Sequence, residues 1–253
     1  MDLSPVLACG LAVLCTAPVG TDAPLPPLAG VIRTVNDLYR AGSSGARMTM
    51  TVVTARFTRE LELRSWTRGK KEALVAVLAP AREAGMATLR TDEGLWSYAP
   101  RADRLVRIPT SLLADGWMGS HFTNDDLIRE TDFTSDYDAA LAWSEDGGRR
   151  VLQVTLVPKP GAPVVWSRVV YLLDPLDDLP LRAEYRDGDR VARTLTFSDP
   201  HEVHGRRIPF TLLMVPADQP GEYTRIHYEQ LDLDVPVDPG LFSQRGLRRV
   251  AER

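Results

Sequence analysis

From residue 47 onward, apolar and polar side chains alternate along most of the chain. That is the period of a half-buried β-strand. In TRELELRSW (58–66), Leu61 and Leu63 alternate with Glu60, Glu62 and Arg64, which predicts an antiparallel strand with one face in water. ALVAVLAP (73–80) is apolar on both faces and so must be covered on both. MATLRTDEGLWSYAP (86–100) predicts a hairpin turning at Asp92-Glu93-Gly94, and RLVRIP (104–109) a further short strand. Strands resume at 139–144, 149–157, 164–173, 181–187 and 190–197, and the last hairpins turn at His204-Gly205 and near Pro216–Gly221. No βαβ alternation appears, which argues against a parallel sheet. Neither an internal repeat nor a domain boundary is evident.

Two stretches leave this pattern. Leu28, Val31, Ile32, Val35, Leu38 and Tyr39 recur at three and four, which predicts a helix ended at Gly42 and followed by a turn at Ser43-Ser44-Gly45. The second is WMGSHFTNDDL (117–127), where Trp117, Met118 and Phe122 crowd a segment between strands. There Thr123-Asn124-Asp125-Asp126 fits a capping box, so a short helix is expected to begin. The expected fold is mainly β (α+β): a curved antiparallel half-barrel with an N-terminal helix and a helical lid insertion.

A long antiparallel sheet must curl, close or be covered to hide its inner face. A barrel or half-barrel of roughly eight or more strands has an interior that its own side chains need not fill. Candidate lining residues are Leu61 and Leu63 by strand parity, Val75 and Val77 from the doubly apolar strand, and Leu89, Trp96, Tyr98 and Trp166. Parity at 164–173 stays open, because Trp166, Val170 and Leu172 oppose Val169, Tyr171 and Leu173. Trp117, Met118 and Phe122 suit either a plug in a self-filled core or a cover over an apolar ligand. An acyl chain gains about 0.8 kcal/mol per buried CH₂, so such a cavity needs no catalytic group to hold one.

Composition narrows the field. Of 253 residues, 44% are hydrophobic and 25% charged, the range of an ordinary globular domain. The net charge is −4 with no basic stripe, which argues against nucleic-acid binding. Residues 3–19 are apolar and uncharged, and read as the hydrophobic region of an export signal, although the only early charge is Asp2. Residues 1–23 are therefore expected to be a leader and 24–253 a single domain in the periplasm or cell envelope. Both cysteines, Cys9 and Cys15, lie in the leader, which leaves the body without thiol chemistry. Val6-Leu7-Ala8-Cys9 resembles a lipobox with Cys9 as lipid anchor; the plainer reading is a hydrophobic segment that contains Cys.

No catalytic constellation emerges. His201-Glu202-Val203-His204 lacks the helical i, i+4 spacing of a zinc HExxH motif. Ser120 lacks the strand–elbow–helix setting of a hydrolase serine, and no nucleophile is placed near His121 or His227. Asn124, Asp125 and Asp126 suit a helix N-terminus better than a cation. No cofactor, metal ligand set or enzyme activity is expected, and the pattern points to binding.

Three words occur in order: GLWSYAPRADRLVRIP (94–109), WMGSHFTNDDL (117–127) and GRRIPF (205–210). With the flanking SWTRGKKEALVAVLAP, RTLTFSDPHEVHGRRIP and Leu241-Phe242-Ser243, they resemble the bacterial outer-membrane lipoprotein-sorting protein family, relatives of the LolA-type periplasmic carriers, over about residues 29–245. The resemblance implies a half-open β-barrel with a helical lid, a hydrophobic cavity and no enzyme activity. It implies lipoprotein or lipid acyl chains as partners, peripheral contact with membranes, and work beside an export pump or an ATP-driven lipoprotein-release transporter. Trp96 and Tyr98 fall in its LWxYxP hairpin; Trp117, Met118, Gly119, Ser120 and Phe122 fall in its loop word. His121 stands where the family usually has Asp, a change that could make the site sensitive to pH or be a tolerated surface swap. Two readings follow: a carrier of acyl chains, and a sensor or interaction module of the same fold with a largely filled cavity.

Overall fold

The computed structural model describes residues 23–39, 41–129, 136–162 and 164–251, so the expected export leader with Cys9 and Cys15 lies outside the described residues. Thirteen antiparallel strands form one sheet: β1 (Ser43–Val53), β2 (Thr58–Arg68), β3 (Glu72–Ala79), β4 (Ala87–Thr91), β5 (Gly94–Ala99), β6 (Arg104–Ile108), β7 (Tyr137–Asp146), β8 (Arg149–Pro158), β9 (Arg168–Leu173), β10 (Pro180–Asp187), β11 (Arg190–Val203), β12 (Arg206–Pro216) and β13 (Tyr223–Leu233). The spatial order is β6-β5-β4-β3-β2-β1-β13-β12-β11-β10-β9-β8-β7. Strands adjacent in the chain are thus paired on either side of the β6–β7 break, and the first and last strands pair with each other at the centre. The only sequential strands that do not pair are β6 and β7, so the sheet curls but stays open between them. This is the predicted antiparallel half-barrel.

The connection between β6 and β7 holds the predicted insertion. Two short 3₁₀ turns (Thr110–Leu112 and Trp117–Gly119) lead into α2 (Asn124–Arg129). The capping box is formed: Asp126 Oδ2 accepts the Thr123 N–H at 2.6 Å, and Thr123 Oγ1 accepts the Asp126 N–H at 3.3 Å. Helix α1 (Leu28–Asn36) buries Val31 and Ile32 against the sheet. It ends sooner than the periodicity predicts, and Gly42 is not its cap; the Gly42 N–H instead donates to Asp234 Oδ1 at 2.9 Å. Ser43-Ser44-Gly45 is not a turn either, because these residues begin β1: all three pair with β2, and Ser44 and Gly45 pair with β13 as well. Two-sided pairing outweighs the local turn preference of Ser and Gly.

The outer face of β3–β5 carries a core of its own. Leu74, Ala76, Ala87, Leu89 and Tyr98 pack there against Phe242 and Leu247, which belong to the C-terminal turn and to α3 (Gln244–Ala251). This covering explains why 73–80 is apolar on both faces. The helix sits so close to the preceding turn that a Cβ on Gly246 would lie 2.2 Å from the Gly240 carbonyl oxygen. No helix among the described residues is long and apolar enough to cross a membrane.

Candidate functional site

The inner face of the half-barrel, α1 and the 117–126 insertion enclose a cavity of about 220 Å³, whereas a single water needs roughly 10–15 Å³. Strand register orders the wall on the β1–β4 side. Ser44, Thr67, Ala73 and Arg90 form one cross-strand row, followed by Ala46, Ser65, Val75 and Thr88, and then by Met48 and Leu63. The wall therefore grades from polar at one end to apolar at the other. The opposite wall is aromatic and aliphatic, with Tyr171, Tyr185, Leu195, Phe197, Leu212 and Tyr228. Tyr39, just past α1, stacks on Tyr228 at 5.2 Å and donates its hydroxyl to the Pro209 carbonyl at 2.7 Å. These two contacts pin the end of α1 over the cavity.

The insertion is a tight loop that joins the two sides. Gly116 bridges to Thr123, and the Trp117 N–H donates to the Phe122 carbonyl at 2.7 Å. Met118 takes a left-handed φ of 51°, which turns the chain back. A Cβ on Gly116 would lie 2.5 Å from the Ser120 carbonyl oxygen, so only glycine closes the loop. Trp117 is 4% exposed and donates its indole N–H to Thr88 Oγ1 at 3.0 Å. It packs in the cluster around Met48, Leu63 and Ile208, whereas Phe122 packs in the other cluster, around Leu152, Tyr171 and Leu195.

Polar ties fasten the loop to the barrel. Arg193 donates to the His121 carbonyl at 2.8 Å and to Asp126 Oδ1 at 2.6 Å. Its guanidinium lies over the rings of Trp166 and Tyr185, 4.5 and 4.3 Å from their centroids. The His121 N–H donates to Thr224 Oγ1 at 3.0 Å; the His121 ring reaches the same hydroxyl at 2.8 Å and Glu222 Oε2 at 3.3 Å. Arg59 donates to the Met118 carbonyl. Burial pushes the Tyr171 phenol well above its ordinary range, with further contributions from Tyr185, Asp126 and Tyr137.

Among the predicted lining residues, Leu63, Val75, Trp117, Phe122 and Trp166 do line the cavity. Leu61 and Val77 belong to the adjoining core, and Met118 packs at its edge. Leu89, Trp96 and Tyr98 are corrected: they lie on the outer face under α3. Leu89 pairs with Trp96, and Ala87 with Tyr98, so all three share the parity opposite to Thr88 and Arg90. The parity left open in 164–173 resolves with Val169 and Tyr171 inward, while Val170 and Leu172 form a small outer cluster. Sequence reasoning missed the polar lining residues Asn36, Ser65, Thr88, Arg90 and Asp125. Arg90 is 5% exposed within a strand buried on both faces, a burial that no local sequence pattern announces.

The candidate chemical groups are occupied structurally. Ser120 Oγ accepts the Phe122 N–H at 3.2 Å inside the loop. His201 Nε2 lies 3.0 Å from Asp199 on an exposed strand end. No group of three or more metal-ligating side chains is found among the described residues.

A family model described as an uncharacterised protein matches residues 69–249. No curated protein matches the chain. Among the solved structures that share its fold are the following three. An outer membrane lipoprotein-sorting protein domain from Vibrio parahaemolyticus is 21% identical, with a TM-score of 0.76 over 86% of this chain and 97% of that one. A DUF1329 family protein from Desulfovibrio piger is 22% identical, with a TM-score of 0.78 over 86% of this chain and 96% of that one. A LolA superfamily protein from Nitrosomonas europaea is 18% identical, with a TM-score of 0.72 over 86% of this chain and 98% of that one.

Proposed function

We propose a function from this premise: the chain belongs to the family whose model matches residues 69–249, and it has the fold of lipoprotein-sorting and LolA-superfamily structures. It is a non-enzymatic carrier of the cell envelope that holds the acyl chains of a lipoprotein or lipid and passes them between membranes or to a transporter. The observation that carries this reading is the cavity itself. It is walled by Met48, Leu63, Val75 and the aromatic side, roofed by Trp117 and Phe122, and left unfilled by the chain's own side chains. Burying an acyl chain there is favourable by about 0.8 kcal/mol per CH₂. The carrier acts after export, in the periplasm, and its transporter is an export pump or an ATP-driven release complex. The family words in the sequence and the fold of the lipoprotein-sorting structure from Vibrio parahaemolyticus support this assignment.

The test is lipid extraction and mass spectrometry of protein purified without detergent. A stoichiometric acyl-containing species is expected, and Val75→Phe, which fills the cavity from the middle of its wall, should lose it. A stable protein that yields no lipid and also fails to bind an added fluorescent fatty acid would sink the carrier.

A second reading is favoured by the loop ties. The contacts of Trp117 with Thr88, of His121 with Thr224 and of Arg193 with Asp126 hold the insertion shut in a way that suits a fixed interaction surface. That reading expects an empty protein and a stable complex with a membrane partner.

A further inference from the structure

Asn36 and Trp166 each bring to the cavity lining a polar atom without a hydrogen-bond partner among the described residues. Asn36 Oδ1 and Trp166 Nε1 are both buried and unbonded, and both residues line the cavity. A buried polar atom left unpaired is costly, and such atoms in native proteins are few. The ring of Trp166 and the backbone that carries Asn36 are both held in place. Trp166 is held edge-on by Tyr185 at 5.7 Å and face-on by the Arg193 guanidinium. Asn36 is the last residue of α1, whose exit is pinned by buried Leu38 and by the stacking of Tyr39 on Tyr228. Both residues line one and the same cavity.

We infer that the cavity selects an amphiphile whose polar head both donates and accepts hydrogen bonds, with Asn36 and Trp166 as its recognition pair. The inference rests on the carrier reading and adds the ligand's head-group chemistry to it. The indole N–H can only donate, so it requires an acceptor on the ligand. The Asn36 amide oxygen requires a donor, and its amide can rotate to offer N–H instead. A primary amide or a hydroxyl meets both demands in either orientation. An ether meets only one, and an alkane neither. The graded wall agrees with this: Ser44, Ser65, Thr67 and Thr88 line the cavity at one end, whereas Met48 and Leu63 line it at the other.

The experiment displaces a fluorescent acyl probe from the full chain with dodecanamide, dodecanol, dodecyl methyl ether and dodecane. All four share one chain length, so differences report the head. Dodecanamide and dodecanol are expected to bind about tenfold more tightly than dodecane, the scale of one to two net hydrogen bonds. Asn36→Leu and Trp166→Phe keep the apolar area and should each shrink that ratio while leaving dodecane affinity in place. Circular dichroism shows whether each variant is folded, and the variants are read independently in case one is not. Equal binding of all four by the wild type overturns the head-group inference and leaves the carrier standing. Undiminished selectivity in both folded variants overturns it too, and assigns the two atoms to bound water. No binding of any chain overturns the carrier reading itself.

Discussion

Trp117 is the residue where sequence and structure meet most directly. A large aromatic in a polar connection asks for a burial partner, and the fold supplies one in the cluster around Met48 and Leu63. Its indole bond to Thr88 is the part no pattern announces, because a threonine in a strand looks like any β-former. Trp117→Phe should cost about 1 kcal/mol for that bond. In a double-mutant cycle with Thr88→Val the two losses should not add; strictly additive losses by chemical denaturation would show that the bond contributes nothing. Arg193 tests the same loop from the barrel side. It is 4% exposed and paired with Asp126, which is 15% exposed. Arg193→Met strands a buried carboxylate and is expected to destabilise by roughly 3–5 kcal/mol, and Asp126→Asn in the same chain should recover part of it. Phe122 was readable for the same reason as Trp117. Asn36, Thr88 and Arg90 were not, since a scan for an apolar cavity passes over polar side chains that face inward.

At the scale of elements, the C-terminal helix governs how the outer face reads. The Gln244–Ala251 segment offers only Leu247 and Val250 as strong apolar residues, too little for a helix to stand out by period. Its effect is nevertheless visible upstream, in the apolar second face of 73–80. Leu247 is fully buried, and Leu247→Ala should cost about 2–5 kcal/mol. Gly246→Ala forces the helix off the Gly240 carbonyl and should lower the thermal midpoint as well; a midpoint unchanged in both variants would mean that α3 is not part of the folded unit. The turn before the helix carries an acid dependence. The Asp238 carboxyl is held below its ordinary range, first by the Gly240 N–H and then by Arg249. Its folded value lies below its unfolded one, so its contribution is present above the ordinary carboxylate range and is lost as pH falls through the folded value. Acidification should therefore loosen α3, read from the methyl resonances of Leu247, and Asp238→Asn should remove that pH dependence.

Across the whole molecule, the opening between β6 and β7 sets the mechanics. β1 and β13 are paired on both sides at the centre of the sheet, whereas β6 and β7 are each paired on one side only among the described residues. Amide exchange should be slowest in β1, β2 and β13 and faster in β6. Uniform protection across the sheet would mean that the gap is closed in solution. The insertion follows β6 in the chain, and its ties from Arg193, His121 and Trp117 reach β11, β13 and β4. Opening the cavity therefore requires several distant contacts to yield together.

The sequence by itself determined the antiparallel meander, the turns at Asp92-Glu93-Gly94 and His204-Gly205, the capping box at Thr123 and the burial of Trp117 and Phe122. All of these follow from local period, turn chemistry or the cost of exposing a large ring. The tertiary structure alone decided the rest. It made Ser43-Ser44-Gly45 a strand by pairing Ser44 and Gly45 on both sides, and it put Leu89, Trp96 and Tyr98 under α3. It also turned Thr88 and Arg90 toward the cavity. In a strand apolar on both faces, parity divides the residues into two sets without saying which set looks inward. Only the packing of a distant helix on one face settles that choice.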